Sequence, residues 1–244
     1  MNDRKKGVFR HLLDGYLRLK VRATSRAFSK KPYLDAYAQR TDALTELDEK
    51  MAIGGLWEQM GRQQFDFLVS EGLQPQHTML DVGCGTLRGG QHFIGYLNPG
   101  HYSGFDISPG AIKKARALVE REGLGEKKPD LRVNEAKNLR FSDYQARTFD
   151  FILAQSVFSH LMEDHIEEAF QHVSNIMHPG SRFFFTFHIG EHYERRSNTD
   201  FQYPLSFFQG LAEKYGFQIA DRSADYKHPR GQAMVCLTME ANRQ

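Results

Sequence analysis

Two carboxylates and a pair of glycines stand at spacings that suit a ligand site. In "TMLDVGCGTLRGGQHF", Thr78 to Phe93, a short apolar run ends at Asp81 and passes directly into Gly83 and Gly85 before a helical pattern begins. Glycines in such a turn let a ligand approach the backbone at the start of a helix. Asp106 closes a second apolar run, "YSGFDIS", 25 residues after Asp81. An acid there can accept hydrogen bonds from both hydroxyls of a ribose. Two histidines also follow apolar runs: His160 in "FDFILAQSVFSHL" and His188 in "FFFTFHIG". A neutral imidazole, with an ordinary pKa of about 6.5, suits general-base work near pH 7.

Charge discriminates between ligands for the glycine turn. A dinucleotide would place its pyrophosphate at the helix N-terminus, where Asp81 would repel it. The spacing of Gly83, Gly85 and Gly89 is G-x-G-x-x-x-G rather than G-x-G-x-x-G. S-adenosylmethionine has no phosphate, and its methionine end carries an ammonium and a sulfonium that a carboxylate attracts. The acid that counts against NAD therefore counts for this cofactor. A glycine turn of purely structural use is the competing reading.

The segments "LDVGCGTLRGG", "GFDIS", "NEAKNLRF", "FDFILAQSVFSHL" and "IMHPGSRFFFTF" occur in that order. Together they resemble the class I S-adenosylmethionine-dependent methyltransferases, over roughly Leu56 to Met239. The resemblance implies a seven-stranded sheet with an antiparallel last strand near Gln232–Thr238. It implies that Asp81, Gly83 and Gly85 hold the methionine part and Asp106 the ribose. It further implies that Glu135 and Ala136 meet the adenine edge, and that Gln155 lies beside the amino-acid end. Arg88, next to the turn, is a candidate for the methionine carboxylate or an anionic substrate. Two departures stand out: Leu87 occupies the place of a third glycine, and Glu135 replaces a commoner Asp.

The elements that must position these residues alternate. Strand candidates are Thr78–Asp81, His101–Asp106, Leu131–Asn134, Phe149–Gln155, Ser181–Phe187, Phe217–Ala220 and Gln232–Thr238; helix candidates are Leu87–Leu97, Pro109–Glu122, Glu163–Met177 and Pro204–Tyr215. Ser108 before Pro109 is a helix start by its residue types. This alternation predicts a doubly wound α/β sheet with helices on both faces. The chain has 244 residues, suited to one such domain (49–244) preceded by a basic helical arm (1–48). Within residues 1–40 lie eleven basic and three acidic side chains, a balance of +8; the rest carry 21 basic and 27 acidic, −6.

Phe9, Leu12, Leu13, Tyr16 and Leu17 follow helical spacing in that arm, and Pro32 interrupts it. The arm is read as packing on the body or on a second subunit. An anionic membrane surface or RNA phosphates are the alternative partners. Charged residues break its apolar stretch, against a secretory signal, whereas a transit peptide fits its basic, acid-poor composition. Cys84 and Cys236 form no disulfide framework, which favours a reducing, cytoplasmic setting with at most peripheral membrane contact.

The expected activity is methylation of a small-molecule, lipid or glycan acceptor, with O-methylation favoured. RNA methylation and an inert cofactor-binding partner subunit are the alternatives. The stretch "LAQSVFSH" at the fourth strand's end has no acid until Glu163, so a metal-independent enzyme is expected. It also lacks the Asn/Asp-Pro-Pro-aromatic motif of enzymes that methylate adenine or glutamine nitrogens. His188 and His160 are the candidate bases. The polar stretch "GEHYERRSNTDFQYP", with His192, Tyr193 and Tyr203 in or beside it, is read as a substrate-covering loop. Trp57, the only tryptophan, covers the site or anchors a helix.

Overall fold

The computed structural model describes residues 33–47 and 56–239. The amphipathic stretch of the arm, Pro32 and the expected 48/49 boundary lie outside them. Helix α1 spans Tyr33–Leu47 and α2 spans Trp57–Ser70. The strands β1 (Met79–Val82), β2 (Tyr102–Asp106), β3 (Asp130–Val133), β4 (Phe151–Ala154) and β5 (Arg182–Ile189) are parallel and lie in the order β3–β2–β1–β4–β5. Helices α3 (Gly90–Tyr96), α4 (Pro109–Arg121) and α5 (Glu163–Val173) alternate with them.

Two short strands follow, β6 (Glu194–Arg195) and β7 (Phe201–Tyr203). Helix α6 (Leu205–Tyr215), β8 (Phe217–Asp221), the short helix α7 (Ser223–Tyr226) and β9 (Gln232–Met239) complete the chain. β9 runs antiparallel between β5 and β8, with Phe184 opposite Cys236 and Ile219 opposite Leu237. The expected seven-stranded frame is thus present, and β6 and β7 enlarge the sheet to nine strands.

The apolar runs are continuous because both faces of the sheet are covered. In β5, Phe183, Phe185 and Phe187 pack with α5 and α6 on one face, while Phe184 packs with α2 on the other. That split is the period of two in a strand. Asp81 is the exception in an otherwise apolar, fully buried β1. Ser108 caps α4 as its residue type implies, accepting the Ala111 N–H at 2.9 Å. Trp57 lies buried in the core beneath α2 and does not line the site. Cys84 and Cys236 are buried and free. No helix among the described residues is long and apolar enough to cross a membrane.

Two elements differ from expectation. Helix α3 begins at Gly90 rather than Leu87, because Leu87 sits in the left-handed region at φ 68°. That conformation costs a non-glycine residue about 1–2 kcal/mol. Its side chain is fully buried, which contributes about 1.5–3 kcal/mol, so packing keeps a leucine where a glycine would be unstrained. The stretch expected as a covering loop folds as the β6–β7 hairpin on the end of β5. Phe201 and Tyr203 are its buried anchors, and the Tyr203 hydroxyl donates to Leu161 O at 2.7 Å. His192 and Tyr193 remain exposed on it.

At Gly61, α2 packs closely on the turn between β1 and α3. A β-carbon there would lie 2.3 Å from the backbone oxygen of Arg88. Alanine would ordinarily favour a helix by about 1 kcal/mol over glycine. Here the backbone must shift, so Gly61→Ala is expected to lose about 1–3 kcal/mol in urea unfolding. A variant as stable as the parent would show that this approach is not tight.

Candidate active site

The direction of strand connection reverses between β1 and β4, and open α/β sheets bind ligands beyond the strand ends at such a point. A cavity of about 560 Å³ opens there. Asp81, Gly83, Gly85 and Arg88 line it from the end of β1, and Asp106 from the end of β2. Gln155 and His160 line it after β4, and His188 at the end of β5. Glu135 and Ala136 are exposed and are not among the lining residues; their neighbours Asn134 and Lys137 are. The turn after β3 therefore directs different side chains into the cavity than its order in sequence implies.

The turn is built around the Asp106 carboxylate. Gly85 N–H donates to Oδ2 at 3.0 Å and Ser108 N–H to Oδ1 at 2.8 Å. Gly83 and Gly85 adopt φ 69° and 56°, and a β-carbon on Gly83 would lie 2.6 Å from Val157 Cγ2. Enclosure pushes the Asp106 pKa up to about 6, although the two N–H donors pull it back. Asp81 is more strongly perturbed. Burial pushes it up to about 7; the Tyr102 hydroxyl, donating to Oδ2 at 2.8 Å, opposes this, and nearby Asp106 adds to it. Two carboxylates enclosed so near one another suit a cation.

Beyond the expected Gln155, several lining residues carry no sequence signal. Gln64 of α2 is buried at the wall, and its amide nitrogen has no hydrogen-bond partner among the described residues. Gln155 is fixed by the Tyr226 hydroxyl, which donates to Oε1 at 2.7 Å, and itself donates to Ser156 Oγ at 3.1 Å. Ser156, at φ 57°, donates its N–H to Thr186 Oγ1 and its hydroxyl to Gln232 Oε1. Helix α1 forms a roof with Leu34, Tyr37, Thr41 and Leu44. Asp42 fastens it by accepting from Ser108 Oγ at 2.5 Å and Gly110 N–H at 2.9 Å. Tyr33 fastens the other end on His165 Nδ1 and the Met162 N–H. Sequence spacing could not place a helix this far upstream over the strand ends.

The two histidines differ. His160 Nδ1 lies 2.6 Å from Thr199 O, a pure acceptor, so this nitrogen carries the proton and Nε2 is the basic atom of the neutral ring. Its Nδ1 also lies 3.3 Å from Asp200 Oδ1, and this contact, opposed by burial, holds the Asp200 carboxyl well below the usual range. The Tyr37 ring rests against His160 at 4.9 Å. His188 is half-buried, and its ring makes no hydrogen bond among the described residues. Burial, then Arg196 and His160, lower its pKa below the ordinary 6.5, with Asp200 opposing. It is therefore neutral at pH 7.

Residues 80–183 match the family model described as a methyltransferase domain. The fold is similar to that of an S-adenosylmethionine-dependent methyltransferase from Clostridium acetobutylicum ATCC 824. There the identity is 14% and the TM-score 0.60, over 82% of this chain and 98% of that one. It is also similar to magnesium protoporphyrin IX methyltransferase from Synechocystis PCC 6803, solved with S-adenosylmethionine bound. That likeness is 15% identical with a TM-score of 0.58, over 78% and 82% of the two chains. A third likeness is to the glycopeptide N-methyltransferase MtfA with S-adenosyl-L-homocysteine, at 11% identity and TM-score 0.59, over 73% and 90%.

The buried acid has a consequence for stability. The pKa of Asp81 is about 7 in the fold, above the roughly 3.9 of an unfolded aspartate. Its contribution is fully present below pH ~4 and is lost as pH rises through about 7. Asp81→Asn removes the penalty of a buried charge. The variant is expected to unfold at least about 1 kcal/mol harder than the parent at pH 8 without ligand, the difference vanishing near pH 4. Chemical denaturation at both pH values measures this; a difference independent of pH would remove Asp81 as its source.

Proposed function

We propose that the chain is a class I methyltransferase that uses S-adenosylmethionine, and that it methylates a small-molecule, lipid or glycan acceptor without a metal, with oxygen the favoured atom; the methyltransferase-domain match over residues 80–183 and the shared fold support this reading. The observation that carries this reading is that the enclosed acids Asp81 and Asp106 and the histidines His160 and His188 line one cavity. Bound there, S-adenosylmethionine supplies a methyl carbon made electrophilic by positively charged sulfur. Asp106 accepts the ribose hydroxyls. Asp81, with the backbone at Gly83 and Gly85, favours the positive methionine end, and Arg88 and the Gln64 amide, which has no partner among the described residues, receive its carboxylate. Each assignment matches a donor to an acceptor or a charge to its opposite.

The residues at the β5 end govern the acceptor. His188, neutral and with no ring hydrogen bond among the described residues, accepts the proton of an acceptor hydroxyl as that oxygen attacks. Asp200 holds His160 in one tautomer, which makes His160 the second base candidate through Nε2. The α1 roof with Tyr37 excludes water from the transfer. Among the described residues there is no group of three or more His, Cys, Asp or Glu that could hold a metal ion.

Two measurements test the reading. Asp106→Ala is expected to weaken S-adenosylhomocysteine binding at least about tenfold by calorimetry, since it removes charge-assisted hydrogen bonds. Unchanged affinity would sink the ribose assignment. For the base, labelled cofactor incubated with metabolite and lipid extracts identifies the fraction that acquires label. On that acceptor, His188→Ala is expected to lose about a hundredfold in turnover with cofactor affinity unchanged. The acid limb of wild-type turnover is expected below pH 6.5, because the His188 pKa is lowered. A large loss in His160→Ala alone would move the base to His160.

A further inference from the structure

The turn that leaves β4 is strained, and side chains hold it. Ser156, one residue past Gln155, sits in the left-handed region at φ 57°, which a non-glycine residue rarely adopts. Such a conformation persists only where its surroundings over-determine it. The last register pair of β4 and β5 is Ala154 with Phe185, so the Ser156 N–H lies past the paired residues. It donates instead to Thr186 Oγ1 at 2.7 Å. Thr186 is fully buried in β5, between Phe185 and Phe187.

That first bond sets the direction of a longer chain. A backbone N–H can only donate. Thr186 Oγ1 therefore accepts from it and gives its own proton to Gln232 Oε1 at 2.7 Å. Gln232 stands on β9 opposite His188, and its oxygen also accepts the Ser156 hydroxyl at 3.0 Å. With its proton committed there, Ser156 Oγ accepts from Gln155 Nε2 at 3.1 Å. Gln155 Oε1 is thereby turned to the Tyr226 hydroxyl, which donates at 2.7 Å. A reversed Gln155 amide would set its oxygen against a hydroxyl with no proton to give. Among the described residues these bonds use one N–H and one lone pair of that amide. The second of each is left for a ligand in the cavity that Gln155 lines.

We propose that Thr186 and Gln232 are positioning residues for the cofactor, holding the Ser156 turn and fixing which way round the Gln155 amide meets the amino-acid end of S-adenosylmethionine. This rests on the cofactor reading above, with Gln155 beside that end. Both residues act through Ser156 and Gln155. The amino-acid end presents an ammonium, which donates, and a carboxylate, which accepts. An amide turned the wrong way therefore exchanges an attraction for a repulsion.

The test is calorimetry on the full chain with two ligands: S-adenosylhomocysteine, and methylthioadenosine, which keeps the adenine, ribose and sulfur but lacks the amino-acid end. Thr186→Val removes the hydroxyl at nearly constant volume. It is expected to weaken S-adenosylhomocysteine about tenfold and methylthioadenosine by less than about twofold. Thr186→Ser restores the hydroxyl and is expected to bind S-adenosylhomocysteine within about twofold of the parent. Gln232→Leu leaves the Ser156–Thr186 bond in place and is expected to show the same selective loss, so it carries the test if Thr186→Val does not fold. In a Gln155→Ala background, the further loss from either variant is expected to be less than about twofold, because both act through that amide. The inference is overturned if both variants keep the parent affinity, if both ligands weaken alike, if Thr186→Ser behaves as Thr186→Val, or if the losses persist without Gln155. Failure of the parent chain to bind S-adenosylhomocysteine would instead overturn the cofactor reading, and this proposal with it.

Discussion

The site depends on keeping two carboxylates, Asp81 and Asp106, enclosed at the ends of adjacent parallel strands. Burying a charge is costly unless it is paired or hydrogen-bonded. The surroundings meet that cost only in part: one tyrosine hydroxyl for Asp81, two backbone N–H groups for Asp106. Both acids therefore remain reluctant to ionise, with pKa values of about 7 and 6. A positive charge placed beside them would favour their ionised forms.

The sheet supplies the geometry for this arrangement. Parallel pairing in register places Asp81 opposite Gly104 and brings the ends of β1 and β2 to one level. The Cys84 N–H and Gly83 N–H both donate to Phe105 O, so the glycine turn is tied to the strand that carries Asp106. β4 and β5 lie on the other side of β1, and their ends bring Gln155 and His188 to the same crevice. Phenylalanines on both faces of β5 hold its far end, so His188 rises from a rigid element.

Helix α1 turns an open crevice into an enclosed cavity. Its Asp42 engages the helix that follows Asp106, Asp35 pairs with Lys137 after β3, and Tyr33 reaches the segment after β4. These contacts span the carboxyl ends of three successive strands. A polar latch of this kind opens at smaller cost than an apolar one, because water replaces its hydrogen bonds.

The chain's sequence determined the frame and half of the site. Unbroken apolar runs ending in Asp81, Asp106 and His188, with glycines after the first, are local patterns that physics reads without knowing what lies opposite. Even so, the helix after the glycine turn starts late because burial of Leu87 outweighs its strained backbone, a balance set by neighbours in space. The polar stretch after His188 hid a hairpin because its anchors, Phe201 and Tyr203, are buried by residues remote in sequence. Only the tertiary structure decided that Gln64 and α1 reach the strand ends. It also decided that Asn134 and Lys137, rather than Glu135 and Ala136, line the cavity, and that Arg230 stands near His188. Those placements follow from packing and turn geometry between distant segments, and spacing along one chain carries no information about them.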